Sequence, residues 1–183
     1  MFSKVHSIGI LGVEGYPVVV EADVSEGLPG FTMVGYLSGA VREAQDRVRT
    51  ALKNSGFRLP ARKITVNLSP ADIRKEGTGF DLPIAVAVLA ATGLVDQSIL
   101  DTSVLVGELG LDGRIKPVSG ILSIVAAAGN AGKKRCFLPI PNVSEGQIIG
   151  NIDIIGVEDI RELAGMLNEP DQLSPAIRQE KTS

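Results

Sequence analysis

The chain has 183 residues, 44% of them hydrophobic and 21% charged, and a net charge of −3. That balance suits one compact α/β domain, or at most two small ones, and excludes a polycation. Cys136 has no second cysteine to pair with, so an internal disulfide is excluded and a reducing compartment is expected. The N-terminus lacks a charged region followed by an apolar run, and no stretch approaches about 20 uninterrupted apolar residues. A cytoplasmic protein without membrane contact is expected.

In chain order, residues 17–24 alternate, with Val20, Ala22 and Val24 inward and Glu21 and Asp23 outward, as a half-buried strand does. Residues 27–30 (Gly-Leu-Pro-Gly) form a turn, and 31–34 return as a paired strand. Over 41–54, Val41, Ala44, Val48, Ala51 and Leu52 recur at helical spacing, with Ser38 as N-cap and Gly56 just past the end. A strand over 63–68 follows. The run 84–91 is apolar all round, so it predicts a buried helix, capped by Asp81, with Pro83 tolerated in the first turn. Asp112-Gly113, between 104–109 and 114–118, signals a hairpin. A second apolar helix over 121–128, strands over 135–138 and 152–156, and a short amphipathic helix over 157–167 complete a domain of residues 1–168. Residues 169–183 hold prolines, Gln, Ser and charges without apolar period and read as a tail or linker.

Charge is unevenly placed. Arg42, Arg47, Arg49, Lys53, Arg58, Arg62 and Lys63 stand against Glu43 and Asp46 between positions 42 and 63. Arg42, Asp46, Arg49 and Lys53 share the outer helix face, and Glu43 and Arg47 form an i, i+4 pair worth only about 0.2–0.5 kcal/mol. A solvated face is one reading. A surface for DNA or a partner domain, made of Arg42, Arg47, Arg49 and Lys53, is the other.

The segment 67–85 reads as a strand end, a polar loop with glycines, and the start of the apolar helix, an arrangement that often carries chemistry at the helix N-terminus. Its apex is Gly79, which offers no nucleophile. With Val20-Glu21, 40–43 (Ala-Val-Arg-Glu), 47–57, Gly27-Leu-Pro-Gly-Phe31, Val34-Gly35 and Gly107-Glu-Leu109, this segment resembles the N-terminal domain of the YifB/ComM family. These are magnesium-chelatase-like AAA+ ATPases that include competence-related proteins. The likeness covers roughly residues 1–167. Where the family usually has Leu-Pro-Asp after Val-Gly, this chain has Tyr36-Leu37-Ser38.

The element order is also similar to the proteolytic domain of Lon protease, which shares its fold with the second domain of a small-subunit ribosomal protein. The resemblance implies an α/β (α+β), two-layer fold with a mixed sheet. Lon-type domains place the nucleophilic Ser in a Lys-Asp-Gly-Pro-Ser-Ala-Gly loop and the Lys base just after a Gly-Gly-Leu. Carried over, the Ser position is Gly79 and the Lys position is Leu122. Both groups are missing, and a serine needs a base within about 2.6–3.2 Å. Thr78 sits one residue early, and Ser119 or Ser123 would need Lys116 or Lys75 to converge on it. The run 129–134 (Gly-Asn-Ala-Gly-Lys-Lys) lacks the first glycine of a phosphate loop, whose place is Ala127, and the hydroxyl after the lysine, whose place is Lys134. A helix C-terminus accounts for it better. His6 and Cys136 share no metal-ligand spacing.

These readings predict a non-catalytic accessory domain with no bound cofactor. The family resemblance implies an ATPase module outside this chain that uses ATP and magnesium. It implies neighbouring subunits in a ring as partners, and ATP-driven DNA work in recombination or competence. A Lon-type Ser–Lys peptidase and a stand-alone nucleic-acid-binding module are the alternatives.

Overall fold

A computed structural model of the chain describes residues 1–176. Its elements run β1 (Phe2–Leu11), β2 (Glu14–Ser25), β3 (Gly30–Val34), α1 (Gly39–Arg42), α2 (Ala44–Asn54), β4 (Lys63–Ser69) and α3 (Asp81–Ala91). They continue through β5 (Ser103–Leu105), β6 (Glu108–Leu109), β7 (Ile115–Lys116), α4 (Ile121–Asn130), β8 (Arg135–Pro139), α5 (Val143–Gly146), β9 (Asp153–Val157) and α6 (Ile160–Asn168). The main sheet is seven-stranded in the order β3-β4-β2-β1-β5-β8-β9, with β6 and β7 paired separately. β2 is antiparallel to both β1 and β4, while the remaining neighbours in the sheet run parallel. The fold is mixed α/β, as expected.

All eleven residues of α3 are buried, because after Asp81 the helix has no polar side chain to offer solvent. It packs on β1 and β2 and beneath α2. The larger apolar cluster joins α2, α3 and α6 to one sheet face. A smaller one, including Ile8, Val104, Ile124, Cys136 and Ile154, seals the opposite face under α4. The two expected layers therefore gain a third over that part of the sheet. On the same opposite face, Thr32, Lys63 and Asp23 of β3, β4 and β2 are exposed.

Several expected boundaries shift for local reasons. The helix over 41–54 is two segments, because the Ala40 carbonyl accepts from the Arg47 guanidinium at 2.7 Å and the Asp46 N–H steps back only three residues to Glu43 O at 3.1 Å. The strand over 31–34 does not fold back on β2, whose two edges are taken by β1 and β4; it pairs in parallel with β4. The strand over 104–109 is cut at Gly107, whose N–H donates to Gly79 O and whose carbonyl accepts from the Leu82 N–H, each at 3.0 Å. A Cβ there would lie 2.8 Å from Ile115, so the bend needs glycine. Val157 belongs to β9, and Asp159 starts α6 by accepting the Glu162 N–H at 2.9 Å. Of the segment expected as a tail, residues 177–183 lie outside the described residues. Before them, Pro170–Gln172 form a 3-10 turn and the Ala176 N–H donates to Ile154 O at 2.8 Å.

β1 escapes a reading by hydrophobic alternation because Ser3 and Ser7 occupy inward positions. Each hydroxyl is satisfied in place, Ser3 by Ala87 O at 2.6 Å and Ser7 by Leu105 O at 2.7 Å. A buried hydroxyl is costly only when unpaired. His6 sits in the middle of β1, 3.2 Å from Asp101 Oδ1.

Candidate functional site

The loop between β4 and α3 borders a cleft of about 600 Å³, lined among others by Gly9, Glu76, Thr78, Gly79, Val118 and Ser119. Gly79, the expected nucleophile position, faces this space, and a Cβ on it would meet Val118 Cγ1 at 3.4 Å. Leu122, the expected base position, does not line the cleft; it stands 40% exposed on α4. The two positions carry neither the chemistry nor the placement of a dyad.

The neighbouring groups are committed elsewhere. Lys75 is 0% exposed, and its Nζ donates to Pro70 O. Burial pushes its pKa down, with Asp72 acting weakly the other way. The Lys75 main chain also pairs with Tyr36 O and the Ser38 N–H, so the residue fixes the loop from within. Ser123 Oγ donates to Val13 O at 2.8 Å, and Lys116 is exposed on β7.

The first turn of α3 has no donors left for an oxyanion. Asp81 N–H goes to Thr78 O, Leu82 N–H to Gly107 O and Ile84 N–H to Phe80 O, while Pro83 has none. Across the cleft, Asn142 accepts the Val118 N–H and donates to Val118 O, each at 3.0 Å. That side chain takes both backbone groups of Val118, a residue that lines the cleft. Nothing in the sequence pattern marked Asn142, because its partner is 24 positions away.

Asp81 was expected to cap α3. It instead occupies the first helical position after Phe80 and its carboxylate turns away from the helix end. Arg47 binds it in bidentate fashion, Nε to Oδ2 at 2.8 Å and a terminal nitrogen to Oδ1 at 2.9 Å, and the Leu109 N–H adds a bond at 3.1 Å. Asp81 is 0% exposed and Arg47 19%. Burial pushes the carboxyl up in pKa, against the Arg47 and Leu109 bonds, and the Asp81 bond makes Arg47 hold its proton more firmly. Three N–H groups donate to the two oxygens, the arrangement of an ionised carboxylate, so the pair is charged.

Arg47 therefore leaves the group of cations expected on one surface. Arg42, Arg49 and Lys53 do stand exposed together with Asp46, and Arg49 lies over the Phe31 ring at 5.9 Å from its centroid. Among the described residues none of these three, nor Arg58, Arg62 or Lys63, has a salt-bridge partner, whereas Arg47 meets both Asp81 and Glu43.

The run 129–134 ends α4: the Lys133 N–H bonds back to Ala128 O, and Gly132 takes a positive φ of 76°. Burial pushes the Cys136 thiol to about 12, which keeps it unreactive. No group of three or more metal-ligating side chains occurs among the described residues. No helix there is long and apolar enough to cross a membrane.

A mixed α/β domain built on a seven-stranded sheet defines the class. The family described as "Subunit ChlI of Mg-chelatase" matches residues 20–142, and the chain belongs to this magnesium-chelatase-like family. Within it, the chain is 40% identical over 179 residues to the uncharacterized protein YifB of Salmonella typhimurium, covering 98% of this chain and 35% of the relative. It is 39% identical over 169 residues to the competence protein ComM of Haemophilus influenzae, covering 92% and 33%. A more distant likeness, 25% over 175 residues, joins it to Lon protease of Mycolicibacterium smegmatis, covering 89% and 22%. The chain thus spans only about a third of the length of its YifB and ComM relatives.

Proposed function

We propose that this chain is a non-catalytic accessory domain of a magnesium-chelatase-like AAA+ ATPase. The observation that carries the proposal is Gly79 facing the cleft where a Lon-type nucleophile would stand, with Leu122 turned to solvent in place of the base. The bonded first turn of α3 and the Asn142 clamp support the same reading. The chain's catalytic partner is an ATPase module that binds ATP and magnesium, working with neighbouring subunits in a ring. DNA is the client of the full-length protein in this reading, which rests on the resemblance to the competence-related family and on the exposed cations of α2. Arg42, Arg49 and Lys53, with no acid partner among the described residues, form the contact surface.

Two measurements test this. The chain by itself hydrolyses neither ATP nor casein; ATP-independent casein cleavage lost in Ser119→Ala or Ser123→Ala would overturn the reading in favour of a peptidase. In the full-length protein, DNA affinity falls with salt at a log–log slope of about −0.9 per phosphate neutralised on duplex and about −0.7 on single strands. An Arg42→Ala, Arg49→Ala, Lys53→Ala variant lowers both affinity and slope. Unchanged values would return α2 to a solvated face.

A further inference from the structure

β3 ends the seven-stranded sheet, with β4 on one side and, among the described residues, no strand on the other. In its parallel ladder the Gly30 N–H reaches Arg62 O at 3.4 Å, so Gly30, Thr32 and Val34 turn their backbone groups toward β4. Phe31 and Met33 therefore turn their N–H and C=O groups outward, and no described residue meets them. Natural sheets usually blunt such an edge with a lysine, a proline or a bulge. The sequence of β3, Gly-Phe-Thr-Met-Val, contains none of these.

Charge around the edge says what could lie there. Arg49 of α2 stacks over Phe31 on the helix-packed face, and Lys63 pairs in register with Gly30 on the opposite face beside Arg62. A strand added to β3 would send alternate side chains to those two faces, one beside Arg49 and the other toward Lys63 on β4, across Gly30, which has no side chain. Because none of the three cations has an acid partner among the described residues, carboxylates are the side chains that match.

We propose that the free edge of β3 receives an extended acidic polypeptide segment, which pairs with the outward backbone groups of Phe31 and Met33 and sets its carboxylates against Arg49, Arg62 and Lys63. Nucleic acid fits the cations but not the edge, since its backbone carries no alternating N–H and C=O groups. Main-chain pairing supplies affinity and the alternating side chains supply selectivity. This goes beyond the DNA surface of α2, with which it shares Arg49, and its backbone pairing at Phe31 and Met33 stands without that surface.

The probe is a short capped peptide in which Glu-Glu pairs alternate with Thr-Thr pairs, so that carboxylates project from both faces; it is titrated into the chain while amide exchange is followed. Exchange at Phe31 and Met33 should be fast in the free chain and slow by about tenfold or more at saturation, with Thr32 protected throughout. The fully N-methylated peptide should not bind, and Arg49→Glu should weaken the parent peptide by about tenfold. Peptide binding that leaves the two amides fast, or equal binding of the N-methylated form, would overturn the proposal. So would a DNA oligonucleotide that slows the same two amides, which would assign the edge region to nucleic acid.

Discussion

Arg47 and Arg49 stand two positions apart on α2, and the fold treats them in opposite ways. Arg47 points into the junction between α2, α3 and the β6 hairpin, where Asp81 and the Leu109 N–H complete its network. Arg49 points out, over the rim of Phe31, with no salt bridge among the described residues. One guanidinium belongs to the structure, and the other is available to a partner. Side-chain type alone therefore says nothing about whether a cation is a binding residue; the partner it already has decides.

The largest expected effect lies at the inward cation. Asp81→Ala leaves the half-buried Arg47 with only the exposed Glu43 as counter-charge and the Leu109 N–H without an acceptor, and should cost about 3 kcal/mol in denaturant unfolding, the lower end for a broken buried pair. A loss below about 1 kcal/mol would erase the distinction between the two arginines. Next comes Asn142→Ala, which strips both partners from Val118 and should cost about 1–3 kcal/mol by the same assay. If it also makes the cleft bind an extended peptide, the clamp is confirmed as what closes that strand.

A pH titration gives a smaller effect on the far side of the sheet. Burial, helped by Lys133, holds His6 below its ordinary value of 6.5, although Asp101 acts the other way. As pH falls, the unfolded chain takes up this proton before the folded one does. Stability present above pH 6.5 should decline as pH drops below it, and His6→Gln should flatten that slope. A stability profile identical in both proteins between neutrality and mild acid would refute it.

The smallest effect should come from the outward cations. The triple replacement of Arg42, Arg49 and Lys53 by Ala should change folding stability by no more than about 1 kcal/mol, because it removes the Arg49–Phe31 contact but no ion pair. Loss of several kcal/mol would show that these residues also belong to the structure.

The sequence by itself determined what depends on residue identity and on short-range period. The apolar run of α3 had to be buried, Ser38 had to accept an N–H at its helix start, and the glycines after α4 had to end it. A nucleophile and base were missing at Gly79 and Leu122 whatever the fold. Tertiary structure alone decided the roles of Asp81, Arg47, Asn142 and Lys75, and it alone disclosed β1. Periodicity reports which face of an element is apolar, yet Asp81 meets a guanidinium 34 positions away and Ser3 a carbonyl 84 positions away. Whether a polar side chain is a cap, a clamp or a free charge depends on what the fold brings within about 3 Å of it, and one-dimensional spacing does not contain that distance.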